Sequence, residues 1–215
     1  MGRRPQFDED GVARAGLRVV ARKTWGAVSV ASVASELSVT PMALYRVVPD
    51  AEQLKRLIAN AAAEPIQPEA TQAPLLEVLR SWAVAAHEHL GALPGLAAYV
   101  IHEWTELPAW IAIVETFLGA AEGEGISGSH SVATVNAVFA YVLARAQLRD
   151  SASRRRQLVP VKEHPERFPH VLVERAEFET AHVDAAFSFG LEALCSGLQS
   201  MLTPAATTIT PRRYR

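Results

Sequence analysis

Residues Ser29–Asp50 read SVASVASELSVTPMALYRVVPD, and the spacing inside this stretch decides the architecture. Val30, Val33, Ala34 and Leu37 fall at i, i+3, i+4 and i+7, one apolar stripe of a short helix, with Ser29 placed as its N-cap. Ser38-Val39 interrupts that pattern. Thr40-Pro41 restarts it, because threonine caps well and proline at the first helical position has no N–H to leave unpaired. Leu44 and Val48 carry the core side of the second helix; Pro41, Met42, Ala43, Tyr45, Arg46 and Val47 share its other faces and its start. Two short helices joined by a three- or four-residue turn form a helix-turn-helix, able to put the second helix into a major groove of DNA. The same spacing also fits a helical hairpin inside an all-α domain.

Working outward, Asp8 to Lys23 reads as a helix with Asp8, Glu9 and Asp10 at the positive end of its dipole. Val12, Ala15, Val19 and Val20 make its buried face, Arg14, Arg18 and Arg22 point outward, and Gly16 costs about 1 kcal/mol relative to alanine. Downstream, Asp50 caps a helix over Ala51 to Ala63, with Gln53 placed to complete a capping box. Glu64 to Pro74 holds three prolines and reads as a linker. Helical patterns follow over Leu75–Leu90, Pro94–His102, Pro108–Glu122, Ser131–Asp150, His170–Ala176 and Ala181–Leu202. Residues 151–167, with Arg154-Arg155-Arg156, read as a charged loop. The expected organisation is all-α, with about nine to ten helices. It divides into residues 1–50 as a DNA-binding unit, 51–74 as connecting helix and linker, 75–203 as a second helical domain, and 204–215 as a flexible tail.

Composition narrows the function classes. The apolar fraction of 49% and charged fraction of 20% exclude a disordered chain. The sequence is expected to hold no apolar run approaching the ~20 residues a membrane span needs, and no apolar core follows the basic N-terminus as in a signal peptide. The single cysteine, Cys195, excludes an intramolecular disulfide and points to a reducing cytoplasm; its neighbours Leu191, Leu194 and Leu198 mark it as a core thiol. Net charge is −2, but it is unevenly placed. Residues 1–60 carry nine Lys/Arg against six Asp/Glu, and residues 61–215 twelve against seventeen, a basic head on an acidic body.

No catalytic constellation or cofactor motif emerges. Gly123, Gly125 and Gly128 form a loose G-x-G-x-x-G, without the preceding strand a dinucleotide site needs. His87 and His89 sit at i and i+2, about 200° apart on a helix, so they do not share a metal ion. What remains is an aromatic-rich body: Trp82, Tyr99, Trp104, Trp110, Phe117, Phe139 and Tyr141, with His87, His102 and Arg145 among the polar groups near them. Such residues fill a core, or line a largely apolar pocket fixed by a few hydrogen bonds.

Ser38-Val39-Thr40-Pro41-Met42-Ala43-Leu44-Tyr45-Arg46, followed by Val48-Pro49-Asp50 and Leu54, resembles the DNA-binding segment of the tetracycline-repressor (TetR) family. Met1-Gly2-Arg3-Arg4-Pro5 is similar to that family's N-terminus. The body is similar to one of its C-terminal domain types through Leu93-Pro94-Gly95-Leu96, Phe168-Pro169-His170-Val171, Ala186-Phe187-Ser188-Phe189-Gly190-Leu191 and Gly197-Leu198. The resemblance implies a ligand-responsive transcriptional regulator, a repressor that binds double-stranded DNA at a palindromic operator and is released by a small, largely apolar effector. It implies a homodimer through the helices near 131–150 and 181–202, with Ala133, Ala137, Ala140 and Ala144, and Phe187, Leu191, Leu194 and Leu198, on the pairing faces. Tyr45 and Arg46 are then phosphate or base contacts, and Thr40, Met42 and Ala43 face bases. Ser29, Pro41 and Lys55 are further implied DNA contacts, and Arg3 and Arg4 reach phosphates or a minor groove unless the arm is simply solvated. Trp82, His87, Tyr99, His102, Trp104, Trp110, Phe139, Tyr141 and Arg145 are the implied effector contacts.

The recognition region departs from the family by lacking charge. Ala31 and Ser32 stand where relatives often carry Arg or Lys, Val47 where His is frequent, and Ala51 where a phosphate-holding Lys is usual; Thr24 and Ser38 replace turn glycines. Each missing cation removes a phosphate contact, so DNA binding is expected to be weaker or less salt-sensitive than is usual for the fold. The charge-poor surface also fits an alternative, a ligand-binding or scaffolding dimer of the same fold with weakened or lost specific DNA binding.

Overall fold

The structure, a computed structural model, describes residues 7–69, 72–152, 158–176 and 183–202. Arg3, Arg4, the Arg154–Arg156 run and the C-terminal tail lie outside the described residues. No strand occurs among those described.

The first helix, α1 (Glu9–Arg22), starts where its cap does: the Asp8 carboxylate accepts the Gly11 N–H at 2.9 Å. Val12, Ala15, Val19 and Val20 are buried as the spacing requires. The outward arginines have a task, because Arg18 and Arg22 both bind Glu36, at 2.7 and 2.9 Å, and so tie α1 to α2 (Val30–Glu36). That pairing, with Arg18 as its main hydrogen-bond donor, holds the Glu36 carboxyl below its ordinary range.

Ser29 caps α2 in a reciprocal box with Ser32. Ser38 then takes a left-handed conformation, φ 57°, where a glycine would be unstrained. Thr40 caps α3 (Pro41–Leu44) by accepting the Ala43 N–H at 3.3 Å, with Pro41 in its first turn. Leu44 and Val48 are buried.

Asp50 caps α4 (Ala51–Ala63), accepting the Gln53 N–H at 2.7 Å; this is half of the capping box, and the return bond from the Gln53 side chain is not made. Ile58, Ala59, Ala62 and Ala63 are fully buried, and α4 packs on α1 at one flank and on α7 (Pro108–Gly123) at the other. Small residues set both distances. A Cβ on Gly16 would come under 3.0 Å from Ile58 Cγ1 and Cδ1, so glycine is what lets α1 approach α4. On the α7 side, the Trp110 indole N–H donates to the Ala59 carbonyl at 2.8 Å and Asn60 Oδ1 accepts the Ala109 N–H at 2.9 Å.

The Pro-rich segment after α4 begins as a 3₁₀ turn (Glu64–Ile66) with Ile66 buried. It leads to α5 (Leu75–Gly91), whose first amide is accepted by the Glu124 carboxylate. Then come α6 (Leu96–Glu103), α7, and α8 (Ser129–Ala152), which runs against α5, α6, α7 and α11 (Val183–Leu202). Part of the expected charged loop is helical, α9 (Val159–Glu163) and a 3₁₀ turn (Pro165–Arg167), and α10 (Pro169–Val173) follows. Proline in the first turn starts each of these short pieces. Among the described residues there are eleven α-helices, against the nine to ten expected.

Within α8, Ser129–Leu148 is long and apolar enough to cross a membrane by length and composition, which corrects the sequence expectation. Its Ser, Thr and Asn residues break the run to the eye but leave the segment apolar on average. Val135, Val138, Phe139, Val142 and Leu143 bury its inner face, so its apolarity belongs to a core. That core is continuous from α1 through α4 into α8 and α11.

Candidate DNA-reading surface and effector site

Two caps and a proline hold α3 with its outer face bare. Met42 is 75% exposed and Tyr45 46%, with Thr40, Pro41 and Arg46 exposed and Ala43 half-buried. The structure thus brings Thr40, Pro41, Met42, Tyr45 and Arg46 onto one surface. Ser29 and Thr40 use their hydroxyls first as caps, at 3.1 and 3.3 Å. Lys55 lies half-buried on α4, about one turn from its start, and Ala51 is exposed in its first turn. Such a surface offers apolar contact from Met42, as to a thymine methyl, and charge from Arg46 alone among these α3 positions.

The expected effector residues separate into three places. Trp82, Trp104, Trp110 and Phe139 meet around the Phe139 ring, which stacks on Trp82 at 5.5 Å, tilts on Trp104 at 5.6 Å and meets the Trp110 edge at 6.0 Å. Phe117 closes the cluster against Trp82 at 5.3 Å. These rings pack on one another, burying Trp82, Trp110, Phe117 and Phe139.

His87 and Tyr141 belong to a second group, stacked on Phe187 at 3.8 and 5.6 Å; the Tyr141 hydroxyl donates to the Phe187 carbonyl at 2.8 Å, and His87 Nε2 is 3.3 Å from Asp184 Oδ1. Gly190 leaves the room this tyrosine occupies. Arg145 is half-buried one turn beyond Tyr141 on α8. Tyr99 and His102 join neither group. Tyr99 packs tilted against Trp25 at 4.7 Å and donates to Glu52 at 2.9 Å, and His102 is exposed. Identity of side chain could not separate these cases, because each depends on which way α6 faces.

A groove of about 420 Å³ opens beside the aromatic cluster, between the segment Pro65–Glu69 with Ala73 and the α5 residues Glu77, Val78, Ser81, Trp82 and Ala85. Among the described residues its lining holds two carboxylates and no cation. Trp82, 3% exposed, lines this groove, and its buried indole N–H has no hydrogen-bond partner among the described residues, an uncommon cost for a buried donor. Gln67 anchors the opposite wall through the Ala63 and Ala109 carbonyls, at 3.1 and 2.9 Å. The Pro-rich segment reads as a linker in sequence, so nothing there signalled a wall.

Among the described residues nothing covers the outer faces of α8 and α11. Ala133, Ala140 and Ala144 are exposed and Ala137 half-buried, opposite Phe189, which is 80% exposed, with Ala185 and Ala193 on the same side of α11. This corrects one expected pairing face. Phe187 and Leu191 are buried and Leu194 and Leu198 half-buried within the protomer, packed around Cys195, whose thiol burial pushes up.

A capped helix-turn-helix carried by a larger helical body defines a one-chain transcriptional regulator in which a DNA-reading unit is joined to a ligand-binding one. The match to the family model "Tetracyclin repressor-like, C-terminal domain" spans residues 67–202, and the chain belongs to the tetracycline-repressor family. It is 28% identical over 209 residues to the tetracycline repressor protein class G of Vibrio anguillarum, covering 91% of this chain and 95% of that protein. Its fold is similar to that of the Streptomyces coelicolor TetR family protein ActR in complex with actinorhodin. That likeness has a TM-score of 0.76 at 18% identity and covers 94% of this chain and 99% of that one. A possible TetR family transcriptional regulator from the same organism gives 0.75 at 16% identity, over 90% and 100%. As a member of this family the chain is a transcriptional regulator with a ligand-binding domain, and not an enzyme.

Proposed function

We propose that this chain is a repressor that binds a palindromic operator as a homodimer in the cytoplasm and is released by a small, largely apolar effector. The observation that carries the reading is a bare outer face: Thr40 caps α3, Pro41 starts it, and Met42, with Tyr45 and Arg46 just past its end, is exposed to solvent. Residues 1–50 serve as the reading head, 51–74 as the connection, and 75–203 as the effector and dimer domain. The alanine stripe on α8 with Ala185, Phe189 and Ala193 on α11 supports a two-fold interface, since small side chains let helices approach closely and a two-fold pair matches two half-sites.

The groove at Trp82 is the effector site this reading favours. Its ligand is neutral or cationic, because among the described residues Glu69 and Glu77 line the groove with no compensating cation. Effector binding shifts the dimer toward a head spacing that no longer fits both half-sites.

The second reading, a ligand-binding dimer without specific DNA binding, is favoured by Ala31, Ser32, Val47 and Ala51 at the family's cationic positions. Fluorescence anisotropy on DNA upstream of the chain's own gene, and on sequences selected from a random pool, separates the two. Selective binding that falls with salt supports the repressor; in that case Arg46→Ala weakens binding and lowers the salt slope by about 1. If no sequence is preferred over random DNA in either experiment, the second reading stands.

A further inference from the structure

The turn between α5 and α6 grips the loop that leads into the helix-turn-helix. The Pro94 carbonyl accepts two hydrogen bonds from that loop, from the Trp25 N–H at 2.7 Å and the Thr24 hydroxyl at 3.2 Å. Gly95 is left-handed, φ 82°, and a Cβ there would lie 3.1 Å from both Thr24 Oγ1 and Trp25 Cβ. Glycine is thus required twice, by the backbone and by the close approach.

One turn along α6, the Tyr99 ring lies 4.7 Å from the Trp25 ring and its hydroxyl donates to Glu52 Oε1 at 2.9 Å, in the first turn of α4. Burial, then the Glu52 bond, push the Tyr99 phenol upward, so it remains the donor. Glu52 continues to Arg56 at 3.7 Å, and Arg56 to Glu106 of the body at 3.8 Å. One helix end therefore holds both the entry to α2 and the start of α4.

Nearby a half-open pocket of about 240 Å³ is lined by Glu9, Val47 and Val48 together with Arg56, Glu106 and Pro108. A head bordered by such a pocket has room to tilt, so its angle depends on ties such as these.

We propose that Pro94, Gly95 and Tyr99 form a latch that fixes the angle of the reading head on the body, making them positioning residues for DNA reading although they lie outside α3 and the Trp82 groove. Its link to DNA rests on the function proposed above; the latch itself does not. Because α6 packs along α8, a displacement of α8 reaches the head through this turn.

The test uses the full chain with spin labels at Ser35→Cys on α2 and Glu115→Cys on α7, both exposed, diluted with unlabelled protein; buried Cys195 is replaced in a control. Electron–electron distance measurements give one narrow head-to-body distance in the parent. Gly95→Ala and Tyr99→Ala broaden it while helicity is kept. Glu52→Gln, which retains an acceptor for the phenol, leaves it narrow. Equal, narrow distributions in all variants overturn the latch. In pools of half-sites with varied spacers, Tyr99→Ala lowers the discrimination between spacings about tenfold, whereas a variant that only destabilises lowers affinity at every spacing alike. A Tyr99→Ala variant that keeps the parent's spacing preference also overturns the proposal. If the parent selects no DNA while the distances broaden, the latch stands and the DNA-reading function falls.

Discussion

Replacing Gly16 by alanine should destabilise the protein, against the helix-propensity rule. An alanine in mid-helix gains about 1 kcal/mol over glycine. At this position, however, the new methyl would come under 3.0 Å from both Cγ1 and Cδ1 of Ile58, which is fully buried. Ile58 is β-branched and held in α4, so it has few alternative rotamers into which to retreat. Forcing one carbon into such a contact costs about 1–3 kcal/mol, and two clashing atoms place it in the upper part of that range. The net loss is about 1–2 kcal/mol, a fall in Tm of roughly 2–8 °C for a chain of this size.

The assay is urea unfolding at fixed protein concentration, since dimerisation makes stability depend on it. An internal control sharpens the outcome. In an Ile58→Ala background the same substitution meets open space, and it should then stabilise by up to about 1 kcal/mol relative to that background. The sign of the effect thus reverses with the neighbour. If Gly16→Ala raised the urea midpoint of the parent, or acted equally in both backgrounds, the close α1–α4 packing would be refuted.

Ser38→Gly should stabilise by about 1 kcal/mol, since Ser38 holds φ 57° with a Cβ that glycine lacks; thermal melting checks it, and no gain would mean that the turn relaxes. Ala140→Glu, on the exposed stripe of α8, should give monomers in sedimentation experiments and lose operator binding in parallel, while the far-ultraviolet helix signal is kept. His89 is held below its ordinary range by burial, outweighing its bond to the Ala62 backbone. A histidine kept neutral in the fold binds fewer protons than in the unfolded chain. Stability should therefore fall as pH drops from about 7 to 5, level off below the lowered value, and flatten in His89→Gln, as denaturant midpoints across that range will show.

Local chemistry made much of the fold legible in the sequence. Helix starts at Asp8, Ser29, Thr40 and Asp50 were readable because a cap hydrogen bond spans three residues and needs no partner from elsewhere in the chain. The buried stripes of α1 and of the Val30–Val48 region followed from the helical period in the same way. So did the outward face of α3, since Leu44 and Val48 fix which side is inside.

Only the tertiary structure decided what depends on two helices meeting. Gly16 reads as a weak helix residue until Ile58 is placed against it. Trp82, Tyr99 and Tyr141 are equal candidates for a pocket by residue type, yet one lines a groove, one joins the head to α4, and one crosses α11. Phe187 and Leu191 look as fit for a dimer face as Phe189, and only the rotation of α11 against α8 turns the first two inward and the third to solvent. Caps and periods are properties of three to seven consecutive residues, whereas the rotation, spacing and closeness of packed helices are set by side chains far apart in the chain, so the sequence alone determined where the helices are and the structure determined what each face does.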